Sequence, residues 1–271
     1  MPQSNEVQEL RQRLAALDGA VVAFSGGVDS SLLLKLAHDA LGERALAVTI
    51  SMESMPLADK GRAVDLARRI GVAHEVIEMP FDSALANNPR ERCYLCKTRL
   101  FSHLKSLAAE RGLVAVLEGS NADDLKDHRP GLAAVRELGV LTPLADAGLK
   151  KDRVRSLAQS LGLPNWNCPS SPCLLTRLPY GAEVRVDDLR RIDAAEMTLR
   201  EMGFRAFRVR AHGELARIEV AANEQSRFLV PTVRSAVLAR LRGLGFAHVT
   251  VDLEPHRSGG YDRLQSVPEA A

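Results

Sequence analysis

The sequence predicts an α/β protein: a doubly wound parallel sheet followed by a small C-terminal α+β domain. Three observations carry that expectation. In the first half, short apolar, β-branched runs alternate with longer amphipathic stretches, as in a parallel sheet covered by helices on both faces. A proline-rich segment at 164–181 then interrupts the rhythm. Beyond it the order becomes helix, two strands, helix, strand. With 271 residues there is room for one medium and one small domain, set here at 1–182 and 183–271.

The expected strands of the sheet are "AVVAF" (20–24), "ALAVTI" (45–50), "AHEVIEM" (73–79) and "VAVLEG" (114–119). Between them, "SLLLKLAHDAL" (31–41), "LADKGRAVDLARRIG" (57–71) and "KTRLFSHLKSLAAERG" (97–112) repeat apolar residues at helical spacing. The second and third of these end in glycine, a helix stop signal. Right-handed crossovers follow from the strand–helix–strand order. A further helix is expected at "KKDRVRSLAQSLG" (150–162). In the second domain, helices at 186–203 and 226–243 flank strands in "FRAFRVRAHG" and "LARIEVAA", and "AHVTVDLE" (247–254) supplies a third strand.

Composition narrows the function classes. Apolar residues make up 46% and charged residues 26%, ordinary values for a globular core. The net charge of 36 − 34 = +2 demands no polyanionic partner, and 4% aromatics argues against a base-stacking surface. The opening "MPQSNEVQELRQRL" has no apolar signal-peptide core, and no apolar run reaches the roughly 18–20 residues that span a bilayer. The expectation is a cytoplasmic protein without membrane contact. There, four cysteines point to thiol, metal or catalytic roles rather than disulfides.

The most informative stretch is "AVVAFSGGVDSSLLLKLAHDAL", a strand running through Ser25-Gly26-Gly27-Val28-Asp29-Ser30 into a helix. The two glycines permit a tight turn and close approach of a ligand to the backbone. The unpaired N–H groups at the helix start, aided by the helix dipole, make an anion site suited to a pyrophosphate. Ser25 and Ser30 add hydroxyl donors. Asp29 would repel a bare phosphate and makes sense as a Mg²⁺ ligand. The Walker lysine is absent, which argues against an ordinary P-loop kinase or GTPase. A second acidic stretch, "EGSNADDLKDHRPG" (118–131), follows the fourth strand, where such sheets bind ligands. Asp123 and Asp124 suit Mg²⁺ on a polyphosphate, with Gly119, Ser120 and Asn121 beside them. Lys97, at a helix start, is a candidate phosphate contact.

Cys93 and Cys96 form a C-x-x-C in "RERCYLCKTRLF", a spacing for one metal centre or a redox dithiol. Cys168 and Cys173 stand in "CPSSPCLLTRLPYG". Zinc on four cysteines and simple buried thiols are both open at this point. Cys173 has Arg177 four residues on, and positive charge favours a thiolate.

The SGGVDS string resembles the PP-loop of the N-type ATP pyrophosphatases, which cleave ATP between its α and β phosphates and adenylate a substrate. No length remains for a glutaminase domain, which turns the expectation from amidotransfer to sulfur. Together "SPCLLTRLPYG", "RCYLCKTRLF", "GSNADDLKDHRPG" and "RVRAHGELARIEV" (208–220) resemble the LarE family of ATP-dependent sulfur transferases. That resemblance implies adenylation of a carboxylate of pyridinium-3,5-biscarboxylic acid mononucleotide and its conversion to a thiocarboxylate, in nickel-pincer nucleotide synthesis. It implies ATP, Mg²⁺ on Asp29 and Asp124, and Cys173 as the catalytic thiol. In some members the matching cysteine gives up its own sulfur. Others hold a [4Fe-4S] cluster on three cysteines, and Cys93, Cys96 and Cys173 place this chain with them, one iron being left open for sulfide. Cys168 stays unassigned. Arg177, Arg208, Arg210 and Arg257 are candidates for the substrate phosphate, which arginine binds bidentately. The resemblance also implies a homo-oligomer, with sulfur-donating and cofactor-assembly proteins as partners. A tRNA thiolase and a non-catalytic nucleotide-binding module with structural zinc are the competing readings.

Overall fold

The computed structural model describes residues 5–125 and 130–256. The chain divides into two units. The first runs to Leu85 and resumes at Pro89–Ser171; the second consists of Ala86–Asn88 and the chain from Pro172 onward. The boundary expected at 182/183 therefore falls inside the second unit.

In the first unit the elements are α1 (Asn5–Ala15), β1 (Ala20–Ala23), α2 (Val28–Leu41), β2 (Ala45–Ser51), α3 (Leu57–Ile70), β3 (Ala73–Glu78), α4 (Arg92–Glu110), β4 (Ala115–Leu117), α5 (Pro130–Glu137), α6 (Pro143–Asp146) and α7 (Lys151–Ser160). The four strands are parallel in the order β3-β2-β1-β4. Alternation along β1 sends side chains to two cores. Val22 and Phe24 pack with Leu32, Leu33 and Leu36 of α2, with Leu10 and Leu14 of α1 and with Val154 and Ala158 of α7. Val21 joins Leu46 and Val48 of β2, Phe101 and Leu104 of α4 and Val135 of α5. Both faces of β1 and β2 are thus covered, as their unbroken apolar runs require. At the sheet edge, β3 is only partly buried, which accounts for its His and Glu residues.

Strand order fixes where a ligand can sit. From β1 the chain moves outward to β2 and β3, while β4 lies on the other side of β1. The loops after β1 and β4 therefore diverge and leave a crevice at their carboxyl ends.

The second unit holds α8 (Val186–Glu201), β5 (Phe207–His212), β6 (Leu215–Val220), α9 (Pro231–Gly243) and β7 (His248–Val251). Its sheet has the order β5-β6-β7, with the first pair antiparallel and the second parallel. The element order is the one expected. The helix expected at 226–243 is broken, however: a 3₁₀ stretch covers Ala222–Leu229 and α9 starts at Pro231. Proline lacks the N–H that a continuing helix needs and is at home in the first turn. Among the described residues no helix is long and apolar enough to cross a membrane.

Candidate active site

β1 leads directly into the loop. Gly27 is the N-cap of α2 and offers no side-chain cap, and the first intrahelical bond runs from Ser31 N to Gly27 O at 2.9 Å. The preceding N–H groups of the first turn consequently have no intrahelical acceptor. Gly26 has φ +71°, and a Cβ there would lie 3.0 Å from Cα and N of Ala63. A side chain is thus excluded on conformational and steric grounds. The Ser25 hydroxyl accepts from Gly27 N at 3.3 Å and lies 3.1 Å from the Ser30 hydroxyl, which in turn donates to Gly27 O at 3.2 Å. Two hydroxyls and an uncapped helix start are so gathered in one turn.

The loop after β4 packs against this turn. A Cβ on Gly119 would stand 2.9 Å from Ser30 N and 3.1 Å from Ser30 Cα. Asn121 Nδ2 donates to Asp29 Oδ1 at 3.1 Å, joining the two loops across 92 positions of sequence. The backbone N–H of Asn121 donates to Asp124 Oδ2 at 3.0 Å, and that of Asp123 to Asn121 Oδ1 at 3.0 Å. Asp29, Asp123 and Asp124 are thus tied into one network at the strand ends. Lys151, first residue of α7, closes it: its ammonium bonds Asp29 Oδ2 and its N–H donates to Asp123 Oδ2 at 3.0 Å.

Lys97 lies on the first turns of α4, where its ammonium pairs with Glu118 Oε1 at 2.9 Å. Burial alone would push the Glu118 carboxyl up. The Lys97 charge and the donors of Ser120 overcome it and hold that carboxyl below its usual range. Two residues outside the sequence-derived set also brace the loop. Buried Asn165 donates to Gly26 O and to Ser31 Oγ, both at 3.0 Å. Arg62 donates from Nε to Gly26 O at 3.2 Å and from Nη2 to Asp59 at 2.7 Å. Neither these two nor Lys151 carry a local motif. The loop atoms they hold lie 28 to 139 positions away in sequence.

In the second unit, Cys173 precedes the 3₁₀ turn Leu174–Arg177 and is half-buried. Arg177 is 1% exposed. Its Nε and Nη2 each donate to Glu196 at 2.9 Å, while Nη1 donates to the carbonyls of Pro172 and Cys173 and to Thr176 Oγ1. The guanidinium expected at a substrate phosphate is fully engaged, and it holds the backbone of the Cys173 loop. Arg210 is likewise paired, with both carboxylate oxygens of Glu219 and with Thr176 O at 2.7 Å. Arg208 stands near both: burial, then the neighbouring Arg177 charge, push its guanidinium down to about 10, a value that leaves it charged at neutral pH. Asn88, with φ 41°, donates from Nδ2 to the carbonyls of Leu175, Leu178 and Pro179 and fixes the rest of this turn. Arg257 lies outside the described residues.

Comparison with known proteins assigns this arrangement to a family. A family model described as NAD synthase matches residues 4–94. The pyridinium-3,5-bisthiocarboxylic acid mononucleotide synthase of Lactiplantibacillus plantarum is 40% identical over 249 residues, 91% of this chain and 90% of that protein. The chain belongs to the LarE family of these synthases. An uncharacterized protein of Synechocystis is also 40% identical, over 96% of this chain and 98% of its own length. A glutamine-hydrolyzing GMP synthase subunit from Archaeoglobus fulgidus is 28% identical over 59% of this chain and 56% of its own.

Within this LarE-family chain none of the four cysteines is in a disulfide. Cys93 and Cys96 stand in the first turn and a half of α4 at i, i+3, one exposed and one half-buried, a spacing that puts both on one side of the helix. Cys168 packs against the core between the sheet and α2. Among the described residues no group of three or more His, Cys, Asp or Glu side chains is arranged to hold a metal ion. A Mg²⁺ ion on a polyphosphate is a different case, since one or two carboxylates and the phosphate oxygens suffice. Asp29 and Asp124 offer such hard oxygen donors.

Proposed function

We propose that this chain is an ATP-dependent sulfur transferase acting on pyridinium-3,5-biscarboxylic acid mononucleotide, in the synthesis of a nickel-pincer nucleotide. It would adenylate a carboxylate and convert it to a thiocarboxylate, with AMP and pyrophosphate released. The observation that carries this reading is the likeness to the Lactiplantibacillus synthase along nine-tenths of both chains.

The chemistry distributes over the residues as follows. The uncapped N–H groups of α2, with Ser25 and Ser30, receive phosphate oxygens. Gly26, Gly27 and Gly119 keep that space clear. Asp29 and Asp124 would hold Mg²⁺, which when bound neutralises phosphate charge and polarises the P–O bonds. The substrate carboxylate attacks the α-phosphorus and the bond to the bridging oxygen breaks, releasing pyrophosphate. A sulfur nucleophile then attacks the acyl carbon and expels AMP. Arg208 would bind the substrate phosphate, since a half-buried guanidinium beside Arg177 and Arg210 is suited to bidentate recognition of an anion. Lys97 could reach a phosphate only by leaving Glu118. Cys173 is the proposed sulfur-bearing residue, and its loop is pinned so that only the thiol remains to move. If it donates its own sulfur, loss of its α-proton breaks the Cβ–S bond and leaves dehydroalanine. The alternative route, supported by the sequence resemblance alone, adds Cys93 and Cys96 as ligands of a [4Fe-4S] cluster that supplies exchangeable sulfide. A cytoplasmic homo-oligomer served by sulfur-donating partners fits either route.

Anaerobically purified and reconstituted protein, assayed for iron, sulfide, AMP and thiocarboxylate, tests both levels. The proposed activity predicts AMP release that depends on the pyridinium substrate and is abolished by Cys173→Ala; no AMP with that substrate refutes the reading. Turnover beyond one sulfur per chain, with iron lost in Cys93→Ala, selects the cluster. One sulfur per chain without iron, and a 34-dalton mass loss on Cys173, selects the sacrificial thiol.

A further inference from the structure

The turn that carries Cys173 is too short to hold itself. Its 3₁₀ stretch spans only Leu174–Arg177, and hydrogen bonds within such turns have poor geometry. Side chains take its carbonyls instead. Arg177 holds those of Pro172 and Cys173, and Arg210 holds that of Thr176. The carbonyls of Leu175, Leu178 and Pro179 all fall to one group, the Asn88 amide, at 3.2, 3.0 and 2.8 Å. Asn88 is fully buried and, among the described residues, is the non-glycine with positive φ. Its Oδ1 is buried too and meets no donor among the described residues. A left-handed backbone and an unanswered buried acceptor each cost stability. The backbone on either side is held without the amide, since Val184 N donates to Ala86 O at 2.7 Å and Gly181 N to Asn88 O at 3.2 Å. The side-chain amide is thus spent on the turn alone.

We infer that Asn88 is a positioning residue for the sulfur-transfer step: its amide fixes the pitch of the turn, and with it the direction in which Cys173 presents its thiol. Leu174, Leu175 and Leu178 are buried and anchor the turn through their side chains. Releasing the carbonyls of Leu175, Leu178 and Pro179 lets the turn unwind towards Cys173, whose own carbonyl accepts from Thr176 N and Thr176 Oγ1. Asn88 touches none of the reacting atoms. The step it serves is the attack of sulfur on the acyl carbon with loss of AMP. Adenylation comes before that step and makes no use of the thiol. The inference rests on the proposed reaction.

Single-turnover assays of the whole protein with Mg-ATP and the pyridinium substrate separate the two steps. Asn88→Gly suits the left-handed backbone and removes only the amide. Its pyrophosphate burst should stay within about twofold of wild type, while AMP and thiocarboxylate form about 10–100-fold more slowly, the effect of misplacing a reacting group by about 1 Å. Alkylation by iodoacetamide, read peptide by peptide, needs no turnover. Cys173 should react about tenfold faster in the variant as its turn loosens. Cys168, packed on the core of the first unit, should react at the wild-type rate. Thiocarboxylate formed at the wild-type rate, or unchanged alkylation of Cys173, overturns the inference. A parallel rise at Cys168 also overturns it, by showing a merely structural role. Should Asn88→Gly unfold, Asn88→Asp keeps the size and the tolerance of a left-handed backbone, turns an acceptor to the three carbonyls, and is held to the same outcomes. Wild type that gives no pyrophosphate burst with the pyridinium substrate refutes the proposed reaction, and this inference with it. A normal burst with unaltered sulfur transfer in the variant refutes the role of Asn88 alone.

Discussion

Gly119→Ala is the sharpest probe of how the crevice is built. The added Cβ would stand 2.9 Å from Ser30 N, 3.1 Å from Ser30 Cα and 3.2 Å from Asp29 C. All three are backbone atoms in the first turn of α2, so no flexible side chain can yield. Either β4 or the start of α2 must retreat by a few tenths of an ångström, and overpacking of this kind costs about 1–3 kcal/mol. The functional loss should exceed that. In the proposed site Ser30 N is one of the N–H donors for phosphate, and moving it spoils the turn that Ser25 and Ser30 share. We expect urea unfolding to shift by about 1–3 kcal/mol and the affinity for Mg-ATP, measured by calorimetry, to fall by about tenfold or more. Gly61→Ala is the control. Gly61 lies inside α3 and a Cβ there would meet nothing within 4 Å, so alanine should stabilise by about 0.5–1 kcal/mol and leave ATP binding intact. Wild-type stability and ATP affinity in Gly119→Ala would refute the packing argument outright.

Two further outcomes follow from the second unit. Arg177 and Glu196 form a bidentate pair with side chains 1% and 4% exposed. Arg177→Met strands a buried carboxylate and should cost about 3–5 kcal/mol in urea unfolding, whereas Arg177→Met with Glu196→Leu should cost clearly less. Glu219 gives a pH signature. Burial would raise its carboxyl, but His256 at 3.5 Å and the guanidinium groups of Arg210 and Arg217 hold it down at about 2. A depressed folded value means its stabilisation is complete above about pH 4.5 and is lost as pH falls towards 2, on the order of 2–3 kcal/mol. Glu219→Gln should flatten the stability profile across that interval and nowhere else; an unchanged slope between pH 4.5 and 2 would contradict it.

The parts of this molecule legible in the sequence are those governed by local rules. The strands of the first unit announce themselves because a parallel sheet covered on both faces tolerates little polarity, as the fully buried β2 shows. The SGGVDS turn is legible for the same reason: a left-handed Gly26 and an uncapped helix start are requirements of four or five consecutive residues. What escapes is whatever depends on a distant partner. α1 is absent from the expected elements, although its Val7, Leu10 and Leu14 are buried at helical spacing. Short α5 and α6 carry too few turns to show a period. Lys151 meets Asp29 across 122 positions, and only the order β3-β2-β1-β4 with α7 beside α2 brings them together.

Arg177 shows the same limit from the other side. An arginine four residues after a loop cysteine reads as a partner for its thiolate or for a phosphate, and the residue type suits both. Its actual role is set by Glu196, on a different element, which takes two of its nitrogens and leaves the third for the carbonyls of Pro172 and Cys173. This also separates the two cysteines of "CPSSPC". The division of the chain falls between them, at Ser171 and Pro172. Cys168 stays with the first unit, packed on its core, its carbonyl held by Arg155 at 2.8 Å. Cys173 opens the second unit, its carbonyl held by a buried arginine and its thiol half-buried. A loop clamped through its backbone while its side chain is left untied is a way to present a thiol, and a cysteine packed on a core is not. The difference that residue type could not express is carried by which carbonyl each arginine takes.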